Sequence, residues 1–330
     1  MDEPELTVNP SPSGEASPPP APAPQTAYGV FLGPNGLRAG WRLLVFLALT
    51  LLIGFALVAA IGPLVSRFHP PGVLTGEGTG FLAALGASLI MARLIEHRSL
   101  ADYGLPGPGA FGVRFWEGLL WGFLALTTLL ILIHLDHGFD FGTKALAGAE
   151  IAKYASLWGV AFLTVGLFEE YFFRGYALAT LTTGIGFWPS AMLLSGVFGA
   201  AHLGNAGEDW AGGLCAGLIG LFFCLTLRRT GSLWFAIGLH ASWDFSESFL
   251  YSVPDSGAMV PGHLLNSSFH GPRWLTGGSV GPEGSALVFL IIALMFLVFN
   301  YLYPDVRFPT ATLPGPPQRE RPANERGLGL

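Results

Sequence analysis

The stretch FEEYFFR, residues 168–174, places two carboxylates and a guanidinium inside an otherwise apolar run. The sequence around it, residues 154–181, is long and hydrophobic enough to cross a bilayer as a helix. Each of the charges Glu169, Glu170 and Arg174 would cost roughly 2.5–3.5 kcal/mol there, even on the scale measured by membrane insertion. Because such residues normally face a cavity or another polar group, a functional site within the membrane is the default hypothesis for this stretch.

The composition indicates an integral membrane protein. The chain has 330 residues, of which 51% are hydrophobic and 12% are charged, whereas roughly 25% are charged in a soluble protein. The hydrophobic residues are gathered into blocks of about 20, the length that an α-helix needs to span a bilayer. The expected surroundings are therefore lipid. Binding to nucleic acid is not expected, because the basic residues form no single patch.

The apolar blocks predict an all-α fold, a polytopic transmembrane bundle of about eight spans. The blocks cover residues 41–65, 74–94, 115–135, 154–181, 188–203, 211–227, 233–251 and 286–303. The fifth block is the shortest. The glycine near its end, Gly204, indicates a helix that stops at or before the membrane surface.

The two ends of the chain differ in composition from the apolar blocks. Residues 1–28 are rich in Pro and Ala, and residues 305–330 are rich in Pro and charged side chains. Neither segment has enough large apolar residues to bury a core, so both are expected to be disordered. The domain between them, residues 29–304, is predicted to be the transmembrane domain, with its core motifs in residues 154–251.

The Lys and Arg residues near the span ends predict the orientation of the chain. Most of them fall on one side of the membrane, and these are Arg38, Arg42, Arg93, Arg98, Arg114, Arg228, Arg229, Arg307, Arg319, Arg321 and Arg326. The other side receives only Arg67, Lys144, Lys153 and Arg273. Since the basic side stays cytoplasmic, we expect both termini in the cytoplasm and the protein in the cell membrane. An even number of spans agrees with this orientation.

Helical spacing gives the two glutamates different surroundings. Glu170 and Arg174 are four residues apart, so they share a helix face, with the carboxylate N-terminal as a pair prefers. Glu169 lies about 100° around the helix and has no local partner. An unpaired carboxylate in such a place suits a general base or acid. Glu169 is therefore the first candidate for the catalytic residue.

Two later spans carry further titratable side chains. His202 follows small residues that would let a neighbouring helix approach closely, and His240 shares a helix face with Asp244. Counting about 1.5 Å per residue from the cytoplasmic helix ends puts all these groups about 10–21 Å deep. Three separate spans would not often reach similar depths by accident, which favours one shared site. The structural alternatives are a Glu–Arg pair that fixes helix packing and histidines that bond neighbouring helices.

At these residues the sequence resembles the CPBP family, which contains the type II CAAX prenyl endopeptidases and the bacterial Abi-type membrane proteins. The resemblance rests on three ordered motifs, EExxxR at 169–174, FxxxH at 198–202 and HxxxD at 240–244. It implies an eight-helix transmembrane fold with the active site within the membrane. The third motif of the family ends in Asn or Asp, and this chain has Asp244.

The resemblance implies an intramembrane endopeptidase. By motif position, Glu169 and His202 would activate a water, while His240 and Asp244 would stabilise the tetrahedral oxyanion. The remaining motif residues would hold the shape of the site, and these are Glu170, Arg174 and Phe198. If Asp244 were ionised it would repel an oxyanion, so it could instead orient His240 or bind a metal. The expected substrate is a membrane-associated peptide or protein, with prenylated and bacteriocin-type substrates both left open.

The residues leave the use of a metal open. His202, His240, Asp244 and a Glu would be sufficient ligands for zinc together with a water, and members of the family are commonly labelled metalloproteases. However, the chain has no His-Glu-x-x-His, the usual helical zinc-protease signature, and a metal-free glutamate mechanism fits the same residues. A second group of potential ligands at 134–137 is interpreted as a solvated helix end.

Two other functional classes are alternatives. Buried Glu, His and Asp side chains also act as proton relays in coupled transporters, although broken helices related in two halves are not evident here. A non-catalytic immunity or scaffold protein could keep the same fold. Binding alone would not require all three motifs, which counts against that alternative.

Overall fold

The computed structural model describes residues 28–33 and 36–308. The remaining residues include nearly all of the two predicted tails and lie outside the described part. The start of the predicted C-terminal tail, residues 305–308, contacts the bundle through its last residues. Phe308 is buried, and its backbone N–H donates to the carbonyl of Arg228.

Helices make up most of the described residues. The α-helices are α1 (Tyr28–Phe31), α2 (Ala39–Phe68), α3 (Gly72–Met91), α4 (Val113–Leu135), α5 (Ala149–Glu170), α6 (Leu178–Ile185), α7 (Phe187–His202), α8 (Trp210–Thr230), α9 (Trp234–Phe245), α10 (Arg273–Thr276) and α11 (Ala286–Leu302). π-Helical segments continue α3, α5 and α9, and they are Ala92–Glu96, Tyr171–Ala177 and Ser246–Leu250. Short 3₁₀ turns occur at Leu100–Tyr103, Gly107–Gly109 and Pro282–Gly284. Two antiparallel pairs join β1 (Leu32–Gly33) to β2 (Gly36–Leu37) and β3 (Phe139–Asp140) to β4 (Ser268–Phe269).

In the described part of the chain, five helices are long and apolar enough to cross a membrane. They are Ala39–Phe68, Gly72–Glu96, Val113–Leu135, Ala149–Ile185 and Trp210–Thr230. The three other predicted spans correspond to the shorter α7, to α9 with its π-helical segment, and to α11. The structure is therefore consistent with the predicted helical membrane bundle, and the count of eight spans stays a prediction.

The loops collect at two opposite ends of the bundle. At one end, β3 and β4 join the loop after α4 to the loop between α9 and α11, and the Ser279 hydroxyl donates to the carbonyl of Gly207. We call this the β3–β4 end. At the other end, the backbone N–H of Leu233 donates to the carbonyl of Gly104. The orientation of these two ends relative to a membrane stays a prediction.

Direct backbone contact fixes α9, which carries the third motif, against α4. A Cβ built on Gly118 would lie 2.0 Å from the carbonyl oxygen of Phe235, and one built on Gly238 would lie 2.2 Å from that of Phe115. Small residues that let two backbones touch are typical of helix packing in membranes. The position of the third motif therefore depends on glycines outside it.

Gly118→Ala is expected to destabilise the protein by about 1–3 kcal/mol, because the added methyl would overlap the Phe235 carbonyl. Gly62→Ala is the matched control. Gly62 also lies inside a helix, but a Cβ built there meets nothing within 4 Å. The measurement is thermal unfolding of both purified variants in the same detergent. Equal unfolding temperatures would contradict the packing described here.

Candidate active site

The first motif lies where α5 changes into a π-helical segment. α5 ends at Glu170, and Tyr171–Ala177 continues with wider turns that include a non-helical ψ of −105° at Gly175. Such segments inside α-helices are frequent at functional sites. The helix spacing used in the sequence analysis did not anticipate this change.

The predicted pair between Glu170 and Arg174 is present. Arg174 Nη1 lies 3.1 Å from Glu170 Oε1, and both side chains are fully buried. The Arg174 guanidinium also lies over three aromatic rings, 4.2 Å from the centre of Phe198, 5.4 Å from that of Phe223 and 5.6 Å from that of Phe173. Cation–π contacts of this kind strengthen when water is excluded. Phe198 thus packs against Arg174, and its predicted supporting role stays a prediction.

His240 connects the buried pair to the other predicted residues. Its Nδ1 lies 2.9 Å from Glu170 Oε1, and because a carboxylate only accepts, Nδ1 carries the hydrogen. Its Nε2 lies 3.7 Å from Glu169 Oε2 and 3.6 Å from Asp244 Oδ2. The ring stacks on Phe223, with 5.3 Å between ring centroids. The imidazole is therefore held on one edge and directs the other edge towards two carboxyl groups.

His202 is oriented by its own helix. Its Nδ1 lies 2.9 Å from the carbonyl oxygen of Phe198, and 4.5 Å separates the centroids of the His202 and Phe198 rings. Since the carbonyl accepts a hydrogen from Nδ1, Nε2 is left as the free nitrogen. Phe198 therefore contacts two groups of the site, His202 and Arg174.

One cavity of about 430 Å³ brings the predicted catalytic side chains together. It is lined by all four of them, Glu169, His202, His240 and Asp244. Glu170 and Arg174 are not among its lining residues and lie behind its wall. The three motifs thus form one site, in which one group of residues faces the open space and another holds the first in position.

The cavity also contains carboxyl groups that the sequence analysis missed. Glu77 of α3 lines it, and its Oε2 is buried without a hydrogen-bond partner among the described residues. A lone carboxylate within an apolar span was a signal that could have identified it. Asp255 and Glu283 line the cavity as well. They come from the loop between α9 and α11, where acidic residues are common and carry no such signal.

Two carboxyl groups at the β3–β4 end have raised pKa values. The pKa of Asp255 is raised to about 7, mainly by burial and next by the nearby Glu283 carboxylate. A hydrogen bond from Ser248 and the nearby His240 act in the opposite direction. Burial and the Glu283 carboxylate likewise raise the pKa of Glu208 to about 7, and His202 opposes them. At neutral pH a substantial fraction of each group is therefore protonated.

The side chains suggested as zinc ligands are not arranged for zinc. Among the described residues, no three of Glu169, His202, His240 and Asp244 place ligand atoms within 4.8 Å of one another. Tetrahedral zinc, with bonds of about 2.0–2.2 Å to N and O, requires ligand atoms within about 3.5 Å of one another. The residues at 134–137 form no such group either, and His134 Nδ1 instead contacts the carbonyl of Phe139. Zinc therefore has no role in the chemistry that we propose for this site.

Comparison with known proteins agrees with the motifs. A family model described as type II CAAX prenyl endopeptidase, Rce1-like, matches residues 151–246, which is less than a third of the chain and includes all three motifs. No curated protein and no solved structure matches the chain. The matched family is a protease family, and the apolar helices around the matched segment are those of an integral membrane protein. Residues 151–246 of this membrane protein, which carry all three motifs, thus match the family of Rce1-like type II CAAX prenyl endopeptidases.

Proposed function

We propose that the protein is an intramembrane endopeptidase that hydrolyses a peptide bond of a membrane-associated peptide or protein. The proposal rests on one observation, that Glu169, His202 and His240 all line the same cavity of about 430 Å³. Its volume falls within the range of ligand pockets, about 300–1,000 Å³. Its wall combines apolar side chains such as Phe162 and Phe223 with the titratable side chains of the three motifs.

Glu169 is the proposed general base. Its Oε2 is buried and accepts no hydrogen bond within the described part of the chain, so the carboxylate is free to take a proton from a water. His202 would share that water through its free Nε2. Attack of the water oxygen on the scissile carbonyl forms a tetrahedral intermediate, and Glu169 then returns the proton to the leaving nitrogen as the C–N bond breaks.

His240 is the proposed donor to the oxyanion. Glu170 holds its Nδ1 at 2.9 Å, and when the ring is protonated its Nε2 can donate into the cavity, where negative charge develops. Asp244 Oδ2 lies 3.6 Å from that nitrogen. We assign Asp244 to orienting His240, because it lies one helical turn away with its carboxyl group beside Nε2.

The matched family suggests a class of substrate. The matched family is named for CAAX prenyl substrates, so a prenylated C-terminal peptide is the first class to examine, and an unmodified bacteriocin-type peptide is the second.

From the distribution of Lys and Arg, both termini lie in the cytoplasm, and the domain at 29–304 crosses the cell membrane eight times.

The test is cleavage of two membrane-anchored peptide libraries, one prenylated and one unmodified, by the purified protein in lipid vesicles. His202→Ala is expected to lower cleavage by roughly 10²-fold or more, because the water loses one of its two partners. His270→Ala is the matched control, since the His270 side chain is 55% exposed and does not line the cavity. A zinc-selective chelator is expected to have no effect.

Full cleavage by His202→Ala would contradict the assigned role of His202. Uptake driven by a pH gradient, with no cleavage of either library, would instead favour a proton-coupled transporter.

A further inference from the structure

Three carboxylates meet at the β3–β4 end of the bundle, next to the cavity. Glu247 lies in the π-helical segment that continues α9, Asp255 lies in the loop that follows, and Glu283 lies in the 3₁₀ turn before α11. One oxygen of each carboxylate lies within 4.8 Å of one oxygen of each of the others. Three segments of the chain thus direct carboxyl groups at one point.

Glu247 is the side chain that indicates a bound ligand. It is 0% exposed, and neither of its oxygens has a hydrogen-bond partner among the described residues. The Trp243 indole, one turn earlier, lies close enough to interact, but its Nε1 also makes no hydrogen bond of normal geometry. A carboxylate buried without donors is costly unless a cation or a proton compensates it.

The other two carboxylates are positioned by donors that each occupy one oxygen. The Ser248 hydroxyl donates to Asp255 Oδ2 at 3.0 Å. The backbone N–H and the hydroxyl of Ser256 donate to Glu283 Oε2 at 3.2 Å and 2.8 Å. Donors of this kind orient the carboxylates of metal sites. In the described residues, no hydrogen bond engages the second oxygen of either carboxylate, so each has one oxygen left to bind a ligand.

No basic side chain neutralises the group. In the part of the chain that the structure describes, none of the three carboxylates forms an ion pair with Arg, Lys or His. When all three are ionised, their mutual repulsion is therefore relieved only by a cation from outside the protein.

The all-oxygen set and its spacing favour calcium. Carboxylates without N or S ligands suit hard cations. Two oxygens bound to one Ca²⁺ can be up to about 5 Å apart, because Ca–O bonds are about 2.3–2.6 Å and the geometry is flexible. Mg²⁺, with bonds of about 2.0–2.1 Å, requires a tighter and more regular set.

We propose that Glu247, Asp255 and Glu283 bind a Ca²⁺ ion that ties the end of α9 to the loop between α9 and α11. Asp255 and Glu283 line the cavity, so the ion can enter from that side. The bound ion offsets two of the three negative charges at that end of the cavity and holds the loop whose residues Asp255 and Glu283 line it. This proposal does not depend on the proposed proteolysis, because its test measures binding alone.

The test uses Tb³⁺, which occupies Ca²⁺ sites and luminesces when a nearby tryptophan is excited. The purified full-length protein is first treated with a chelator and then titrated with Tb³⁺ and afterwards with Ca²⁺. We expect saturable luminescence, sensitised through the adjacent Trp243, that Ca²⁺ displaces. Asp255→Asn and Glu283→Gln are each expected to weaken binding by at least about tenfold, since the loss of even an outer partner has that effect.

Two further variants locate the ion. Glu150→Gln is the matched control, because that side chain is 58% exposed on α5, and it should bind as the wild type does. Glu169→Gln should also bind normally. The proposal is overturned if the wild type shows no saturable signal that Ca²⁺ displaces, or if Asp255→Asn and Glu283→Gln both bind normally. It is equally overturned if Glu169→Gln removes binding, because the ion would then lie among the proposed catalytic side chains.

Discussion

Glu169→Gln is expected to lower kcat/KM for peptide cleavage by roughly 10²–10⁴-fold, the usual contribution of a general base. The amide keeps the size of the side chain but cannot take a proton from water. Glu169 lines the cavity, and its Oε2 is buried and unbonded among the described residues, so the substitution removes no hydrogen bond from the fold. The measurement is the steady-state rate on a peptide identified in the library assay.

Glu150→Gln is the control for this prediction. It makes the same chemical change on the same helix, at an exposed side chain that pairs with Lys153 at 3.6 Å. Its rate should equal that of the wild type. Both variants should insert into vesicles and unfold at the wild-type temperature. Undiminished cleavage by Glu169→Gln would show that another group is the base, and Glu77, which lines the same cavity, would be examined next.

Arg174→Met is expected to lower the free energy of unfolding by about 3–5 kcal/mol, the largest effect on stability that we predict for a single substitution. It replaces the guanidinium by an unbranched apolar side chain and leaves the buried Glu170 carboxylate with the His240 Nδ1–H as its remaining partner among the described residues. Both side chains are 0% exposed, and the pair distance is 3.1 Å. The substitution also removes the cation over the Phe198 and Phe223 rings. The measurement is thermal or denaturant unfolding in detergent.

Two variants separate the buried charge from a general effect of losing an arginine. Arg114→Met breaks a pair with Glu117 whose side chains are 31% and 34% exposed, and exposed pairs contribute about 0–1 kcal/mol. The double variant Glu170→Gln/Arg174→Met removes both charges and should recover part of the lost stability. Equal losses in Arg114→Met and Arg174→Met, or a double variant less stable than Arg174→Met, would contradict this account.

The local parts of the site could be predicted because helix geometry determines them. The pairing of Glu170 with Arg174 follows from a spacing of four residues on one helix, and the structure contains that pair at 3.1 Å. The same spacing brings His240 and Asp244 within 3.6 Å. Helices form within a span regardless of its neighbours, because backbone groups must be satisfied inside the bilayer. Contacts one turn apart are therefore determined before any tertiary packing.

Contacts between spans could be predicted only in outline. Similar depths suggested that Glu169, His202 and His240 meet, and all three line one cavity. Depth does not determine how each helix is rotated about its axis, so the 2.9 Å contact between His240 and Glu170 was not foreseen. That rotation depends on close packing elsewhere, such as the contact of Gly118 with the Phe235 carbonyl.

By itself, the sequence determined that the chain is a helical membrane protein, which of its carboxylates pair locally, and which motifs relate it to the CPBP proteases. These properties depend on hydrophobic length and on helical period, and both can be counted along the chain. Only the tertiary structure decided that Glu77 faces the cavity and that Asp255 and Glu283 approach Glu247. The physical reason is that these contacts join residues far apart in sequence, whose meeting depends on how helices and loops pack and not on any local period.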